Sequence, residues 1–159
     1  QGRCTSGMRQ GMNPELSFIA QLRAIATDPA ARGLLDDAAV LDLGGTRLVL
    51  TLDTLVEGVH FLAEDRADSV AWKLVAVNVS DLAAKGAKPL AALTSYTLTG
   101  DAAWDSLFIK GLGEALDHFG IALIGGDTVS AHERSIGLTL VGEARGFVPS
   151  RSGAHEGDA

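Results

Sequence analysis

One cysteine, Cys4, in 159 residues leaves no partner for an internal disulfide and no thiolate set for a zinc site. A reducing, cytoplasmic setting is the default that follows. Positive charge is also scarce: 13 Lys and Arg stand against 20 Asp and Glu, a net of −7, and the basic residues form no cluster. Nucleic acid and anionic membrane surfaces recruit such clusters, so neither is expected as a partner. No apolar run approaches the roughly 18 residues that a membrane-crossing helix needs. The Walker phosphate loop and the strand-then-GxGxxG dinucleotide signature are both missing, so a nucleotide site here would be of another kind. Internal repeats and low-complexity tracts are lacking as well.

What remains is a chain with 47% apolar residues and a length suited to one domain with a sizeable core. Asn13-Pro14 opens a helix, a capping side chain followed by proline at the first helical position. Leu16, Phe18, Ile19, Leu22 and Ile25 continue it toward Asp28-Pro29. Two β-prone runs, AAVLDL and TRLVLTLD, flank Gly44-Gly45 and predict a hairpin. Asp68 is placed to cap a second helix with a buried stripe of Trp72, Val75, Val79 and Leu82, stopping at Gly86. LAALTSYTLT predicts a strand, and Asp101 to Gly120 a third helix. IALIGGDTV reads as a short buried strand running into a glycine turn, and SIGLTLVGEA as another strand.

This order predicts an α+β fold, a mixed β-sheet with helices packed on one face. The other face then needs cover, and a second copy of the chain would supply it, giving a homodimer through the sheet. Residues 1–11, too polar for the core of a secretory signal, read as a leader or disordered arm. Residues 12–148 form the domain, and the turn-rich 149–159 reads as the start of a connection to a missing C-terminal domain.

Four aspartates fall at the ends or inside of apolar elements: Asp37 in LLDDAAVL, Asp53 in LVLTLDTLVEGVHF, Asp81 in VNVSDLAAKGA and Asp127 in LIGGDTV. Each has an ordinary reading as a turn residue, a strand end or the solvated side of a helix. Together they pose a physical problem, because carboxylates beside buried segments are costly unless paired or metal-bound. Lys85, one turn from Asp81, is the one basic residue close to any of them in sequence. Asn78, Asp81 and Lys85 are expected to share a polar face of the second helix. Hard oxygen donors without cysteine or a histidine pair point to magnesium rather than zinc. Gly125-Gly126 after a strand would let backbone N–H groups approach a phosphate. His60, seven residues past Asp53, is a structural histidine or a site residue; His118, His132 and His155 have no such context.

As a set, DDAAVL, TLDTLVEGVHF, WKLVAVNVSDLAAKGAKPLA, LIGGDT and SRSGAHEGD closely resemble the thiamine-monophosphate kinase family. That family belongs to the superfamily of aminoimidazole ribonucleotide synthetase and selenophosphate synthetase. The resemblance runs from about Met12 to the end and covers the family's N-terminal half, an ATP-binding and dimerisation domain. It implies transfer of the γ-phosphoryl of ATP to the phosphate of thiamine monophosphate, with several Mg2+ ions. Carried over, it makes Asp37 and Asp81 bridging Mg2+ ligands, and Thr51, Leu52, Asp53 and Asp127 further ones, Leu52 through its backbone carbonyl alone. Gly126, Asp127 and Arg151 fall at ATP, His60 at the thiamine phosphate, and Asn78 behind the ligands. No residue is assigned as a general base, since a phosphate oxygen is already nucleophilic.

Three motifs depart from the family pattern: Leu35 where a glycine precedes the paired aspartates, Leu52 where Ser or Thr precedes Asp53, and Val129-Ser130 after GGDT. A sibling enzyme with another acceptor, or a non-catalytic nucleotide-binding or dimerisation module, are the alternative readings. The DTLVEGVHF wording favours the kinase, and Cys4 lacks the glycine-rich setting of a selenophosphate synthetase cysteine.

Overall fold

The computed structural model describes residues 13–157. The leader assigned to residues 1–11, Cys4 and Met12 lie outside the described residues. Helix α1 spans Pro14–Leu22, followed by a 3-10 segment, Pro29–Leu34. The hairpin is β1, Ala39–Leu43, and β2, Thr46–Val56. Then come α2, Ala67–Ala84; β3, Ala87–Leu98; α3, Ala102–Phe119; β4, Ala122–Ser130; and β5, Ser135–Ala144. The five strands make one mixed sheet in the order β1-β2-β5-β3-β4, antiparallel throughout except for the β3–β4 pair. That parallel pair requires a crossover, and α3 is it.

Both long helices cover the same face. α2 lies over β2, β5 and β3, while α3 packs beside α2 and reaches β4. Period-two alternation on central β5 sends Ile136, Leu138 and Leu140 under the helices with no exposed area. They meet Leu74, Val75 and Leu82 of α2 and Phe108, Leu112 and Leu116 of α3. Burying each such side chain contributes about 1.5–3 kcal/mol. At one end of the sheet Arg134 is buried against Trp104, 4.1 Å from its ring centroid, and pairs with Glu57 at 2.5 Å and Asp101 at 3.6 Å. Among the described residues no helix is long and apolar enough to cross a membrane.

Several local expectations change in three dimensions. α1 ends at Leu22, and none of its residues is buried; Leu16 and Phe18 are more than half exposed. Asp68 does not cap α2: Arg66 holds the cap position, and Asp68 pairs with it at 2.6 Å from within the first turn. The buried stripe of α2 runs through Ala71, Leu74, Val75, Asn78 and Leu82, with Trp72 and Val79 only partly covered. Asn78 therefore sits inside the stripe rather than on a shared polar face with Asp81. It is tolerated there because Thr51 Oγ1 donates to its Oδ1 at 2.8 Å and its Nδ2 donates to the Leu74 carbonyl at 3.0 Å.

β3 starts at Ala87 and includes Pro89, at a register shift where β4 has not yet begun to pair, so its missing N–H disrupts no ladder on that side. β4 is not a buried strand. It is the sheet edge, exposed along its whole length, and Gly125-Gly126 lie within it rather than in a turn.

Helix α3 carries two glycines with opposite reasons to exist. A Cβ on Gly111 would stand 2.5 Å from the Asp68 Cα, so the α2–α3 crossing depends on its absence. Gly113, exposed, has nothing within 4 Å. Urea unfolding should separate them. Gly113→Ala should stabilise the protein by about 1 kcal/mol through helix propensity. Gly111→Ala should destabilise it by about 1–3 kcal/mol through overpacking, despite the same propensity gain.

Candidate functional site

The corner where the hairpin meets α2 collects acidic groups from three elements. Asp37 precedes β1, Asp53 is on β2, and Asp81 is in the last turns of α2. Asp53 pairs in register with Leu138, whose side chain is fully buried under the helices, so both share the helix-covered face. α2 brings Asp81 to that face one turn past Asn78.

The electrostatics record the convergence. Burial raises the Asp53 carboxyl above its usual range, the charge of Asp37 raises it further, and His60 acts in the opposite direction. Burial likewise raises Asp81, with Asp53 and Asp37 adding to the rise and Lys85 and Arg151 opposing it. These groups lie near enough to repel one another, and Lys85 and Arg151 offset that only in part. Arg151 reaches back from the C-terminal segment to Asp37, 3.0 Å away. That pair is exposed, worth about 0–1 kcal/mol, and readily exchanged for another partner.

Other residues singled out from the sequence are placed differently. Thr51 is on the same sheet face as Asp53, but its side chain is buried and its hydroxyl donates to Asn78. Leu52, 66% exposed, points to the open face of the sheet. Asp127 is on that open face too, because it pairs with Ser95, Ser95 with Gly137, and Gly137 with Thr54. Leu52, Leu93, Ser95, Gly126 and Asp127 line one shallow hollow there, on the far side of the sheet from Asp53 and Asp81. A Cβ on Gly126 would lie 2.0 Å from the Thr94 carbonyl oxygen, so tight β3–β4 pairing is itself sufficient reason for that glycine.

His60 is exposed, and its Nδ1 accepts the Val56 N–H at 3.0 Å. In the neutral ring the proton is then on Nε2, leaving that nitrogen free to donate. Lys73 donates to the His60 carbonyl, anchoring the turn.

Sequence reasoning passed over Asp36, the first of the paired aspartates. Its side chain is 3% exposed and it takes Lys85, which sequence spacing alone places one turn from Asp81. The signal was available: of two adjacent aspartates before a strand, one can point in when the other points out.

Among the described residues no group of three or more His, Cys, Asp or Glu is disposed to hold a metal ion by itself. The donor chemistry still fits magnesium, which keeps several waters and takes one or two carboxylates with phosphate oxygens completing its shell. Asp37, Asp53 and Asp81 are the residues that would hold it.

The family described as AIR synthase related protein, N-terminal domain, matches residues 35–144. The thiamine-monophosphate kinase of Caulobacter vibrioides is 44% identical over 151 residues, covering 91% of this chain and 43% of that protein. That of Escherichia coli K12 is 40% identical over 133 residues, covering 79% and 39%. The solved structure described as AaThiL complexed with AMPPCP and TMP superposes with a TM-score of 0.80 at 33% identity, over 89% of this chain and 45% of that one. The thiamine-monophosphate kinase of Stenotrophomonas maltophilia K279a gives 0.61 at 39% identity, over 82% and 41%. The chain thus spans about two-fifths of the length of the curated kinases it matches.

The raised carboxyls have a measurable consequence. A folded-state pKa above the unfolded value of 3.8 contributes stability present below pH 3.8 and lost as pH rises through the folded value. In chelator, Asp81→Asn and Asp53→Asn should therefore melt higher than the parent at about pH 7, by ~2–4 °C for each kcal/mol of repulsion relieved. The advantage should vanish as pH falls toward 3.8. Thermal melts across that range check it, and variants less stable than the parent at neutral pH would contradict it.

Proposed function

The chain belongs to the AIR synthase related proteins, matching their N-terminal domain, and from that membership we propose that it is the ATP- and Mg2+-binding domain of a thiamine-monophosphate kinase. The observation that carries the reading is the meeting of Asp37, Asp53 and Asp81, from three separate elements, at a corner short of positive charge. Identities of 35–44% to curated thiamine-monophosphate kinases support the acceptor assignment.

In this reading the γ-phosphoryl of ATP passes to a phosphate oxygen of thiamine monophosphate. The acceptor is already anionic, so the barrier lies in bringing two polyanions into line, and positioning and charge neutralisation dominate. Bound Mg2+ ions supply that neutralisation. Asp37, Asp53 and Asp81 would hold them, from the turn before β1, the helix-covered face of β2 and the last turns of α2. Arg151, held to Asp37 by one exposed contact, exchanges that partner for a nucleotide phosphate. His60 presents Nε2–H toward the thiamine phosphate, its ring oriented by the Val56 N–H. Asn78 and Thr51 lock α2 to β2 beneath Asp81 and Asp53 and so set their spacing.

Asp127 and Gly126 are carried on the open sheet face, and the Leu52 carbonyl in the plane of the sheet on β2. That face and the β4 edge expose Leu52, Leu93 and Val129, and a second copy of the chain covers them in the homodimer we infer. A cytoplasmic setting accompanies ATP as donor.

Calorimetric titration of a non-hydrolysable ATP analogue tests this. Binding should be at least about tenfold tighter with Mg2+ than in chelator, a gain of about 1.4 kcal/mol or more. Asp81→Asn should erase that gain while retaining the parent's circular dichroism. Equal binding with and without Mg2+ would remove the carboxylate site from the reading.

A further inference from the structure

Asp36 neighbours one of the site's carboxylates and points away from it. Its side chain is 3% exposed, against 45% for Asp37. Three groups close around it. Lys85, 4% exposed, pairs with Oδ1, and Arg32 approaches Oδ2 at 3.1 Å. The Asp37 backbone N–H donates to Oδ1 at 2.9 Å.

Each of these contacts belongs to a different part of the site's frame. Lys85 is the residue that closes α2, one turn beyond Asp81. The N–H of Asp37 belongs to the peptide that carries the Asp37 carboxylate. Arg32, beyond its ion pair with Asp36, donates to the carbonyls of Pro149, at 3.0 Å, and Val148, at 3.3 Å, just before Arg151. One carboxylate therefore ties together the Asp37 turn, the Asp81 helix and the segment bearing Arg151.

Two further facts set this cluster apart from an incidental ion pair. Arg32 and Leu34 adopt φ of +50° and +51°, a left-handed backbone that residues with a Cβ avoid. Such strain persists where the surroundings over-determine it, and it clusters near functional sites. A buried ion pair is also weak ground for stability, because apolar groups of similar volume often do as well or better in its place. What the pair supplies that an apolar contact would not is a fixed direction at each end. Asp36 Oδ1 is taken by Lys85 and the Asp37 N–H, while the buried Oδ2 meets Arg32 as an ion pair and accepts no hydrogen bond.

We propose that Asp36 is a positioning residue for the phosphoryl-transfer site, fixing Asp37 against Asp81 through Lys85 and bringing Arg151 to them through Arg32. The inference rests on the reading of Asp37 and Asp81 as ion ligands. Asp36 has two separable actions: the Lys85 arm sets ion affinity, and the Arg32 arm sets nucleotide affinity.

The test uses the intact chain and two probes, Mn2+ alone followed by electron paramagnetic resonance, and a non-hydrolysable ATP analogue at saturating Mg2+. Truncating Asp36 alone would strand Lys85 in the interior and endanger the fold. The double variant Asp36→Asn/Lys85→Met removes both charges while keeping the volume. It should stay folded, with a thermal midpoint in chelator near the parent's, and bind Mn2+ at least tenfold more weakly. Arg32→Gln should leave Mn2+ affinity within twofold of the parent and weaken the analogue at least fivefold. A double variant that binds Mn2+ as tightly as the parent would overturn the positioning role, as would an Arg32→Gln protein whose two affinities fall together or not at all. A parent that binds no Mn2+, or binds it equally after Asp81→Asn, would instead remove the underlying site.

Discussion

Like charges gathered beside a hydrophobic core are tolerated only when something positive stands among them, and one corner of this protein is arranged around that constraint. Asp37, Asp53 and Asp81 are brought together by packing that has no electrostatic motive: β2 is held by β5, α2 is held over both, and the hairpin carries Asp37 alongside. The cost appears as raised carboxyls on Asp53 and Asp81. The positive groups nearby relieve it only in part. Lys85 is committed to Asp36 in the interior, and Arg151 meets Asp37 through an exposed contact. A divalent cation is the species that would complete the balance.

Core and site are coupled here through single residues rather than through layers of packing. Asn78 is the clearest case. It is wholly buried in the apolar stripe of α2, one turn before Asp81, and is bonded to Thr51, which lies two residues along β2 from Asp53. A leucine there would pack the stripe but would not fix the register of helix against strand. Burying a satisfied amide gives the helix a rotational setting that apolar contacts specify only loosely.

The sheet has two faces with different histories. The helix-covered side is closed by Leu74, Leu82, Phe108 and their neighbours. The other side leaves Leu52 and Leu93 open and ends at an exposed edge strand, features that natural proteins seldom leave uncovered. Asp127 belongs to this second side. It is separated from the acidic corner by the sheet itself, so the four aspartates do not form one cluster within a single chain.

Local chemistry written in the chain was enough for much of this. Asn13-Pro14, Asp101 and Gly120 set helix ends as capping rules require, and Gly44-Gly45 joined the hairpin. The mixed sheet with helices on one face followed from element order, and the acidic positions stood out because each was a charge in an apolar setting. Tertiary structure alone decided which side of the sheet each aspartate faces, since a strand presents alternate residues to opposite faces and only pairing fixes the phase. It made β4 an edge, left α1 uncovered, and turned Asn78 inward. It also gave Lys85 to Asp36, because which of two adjacent carboxylates meets a distant lysine depends on chain paths that no local spacing encodes.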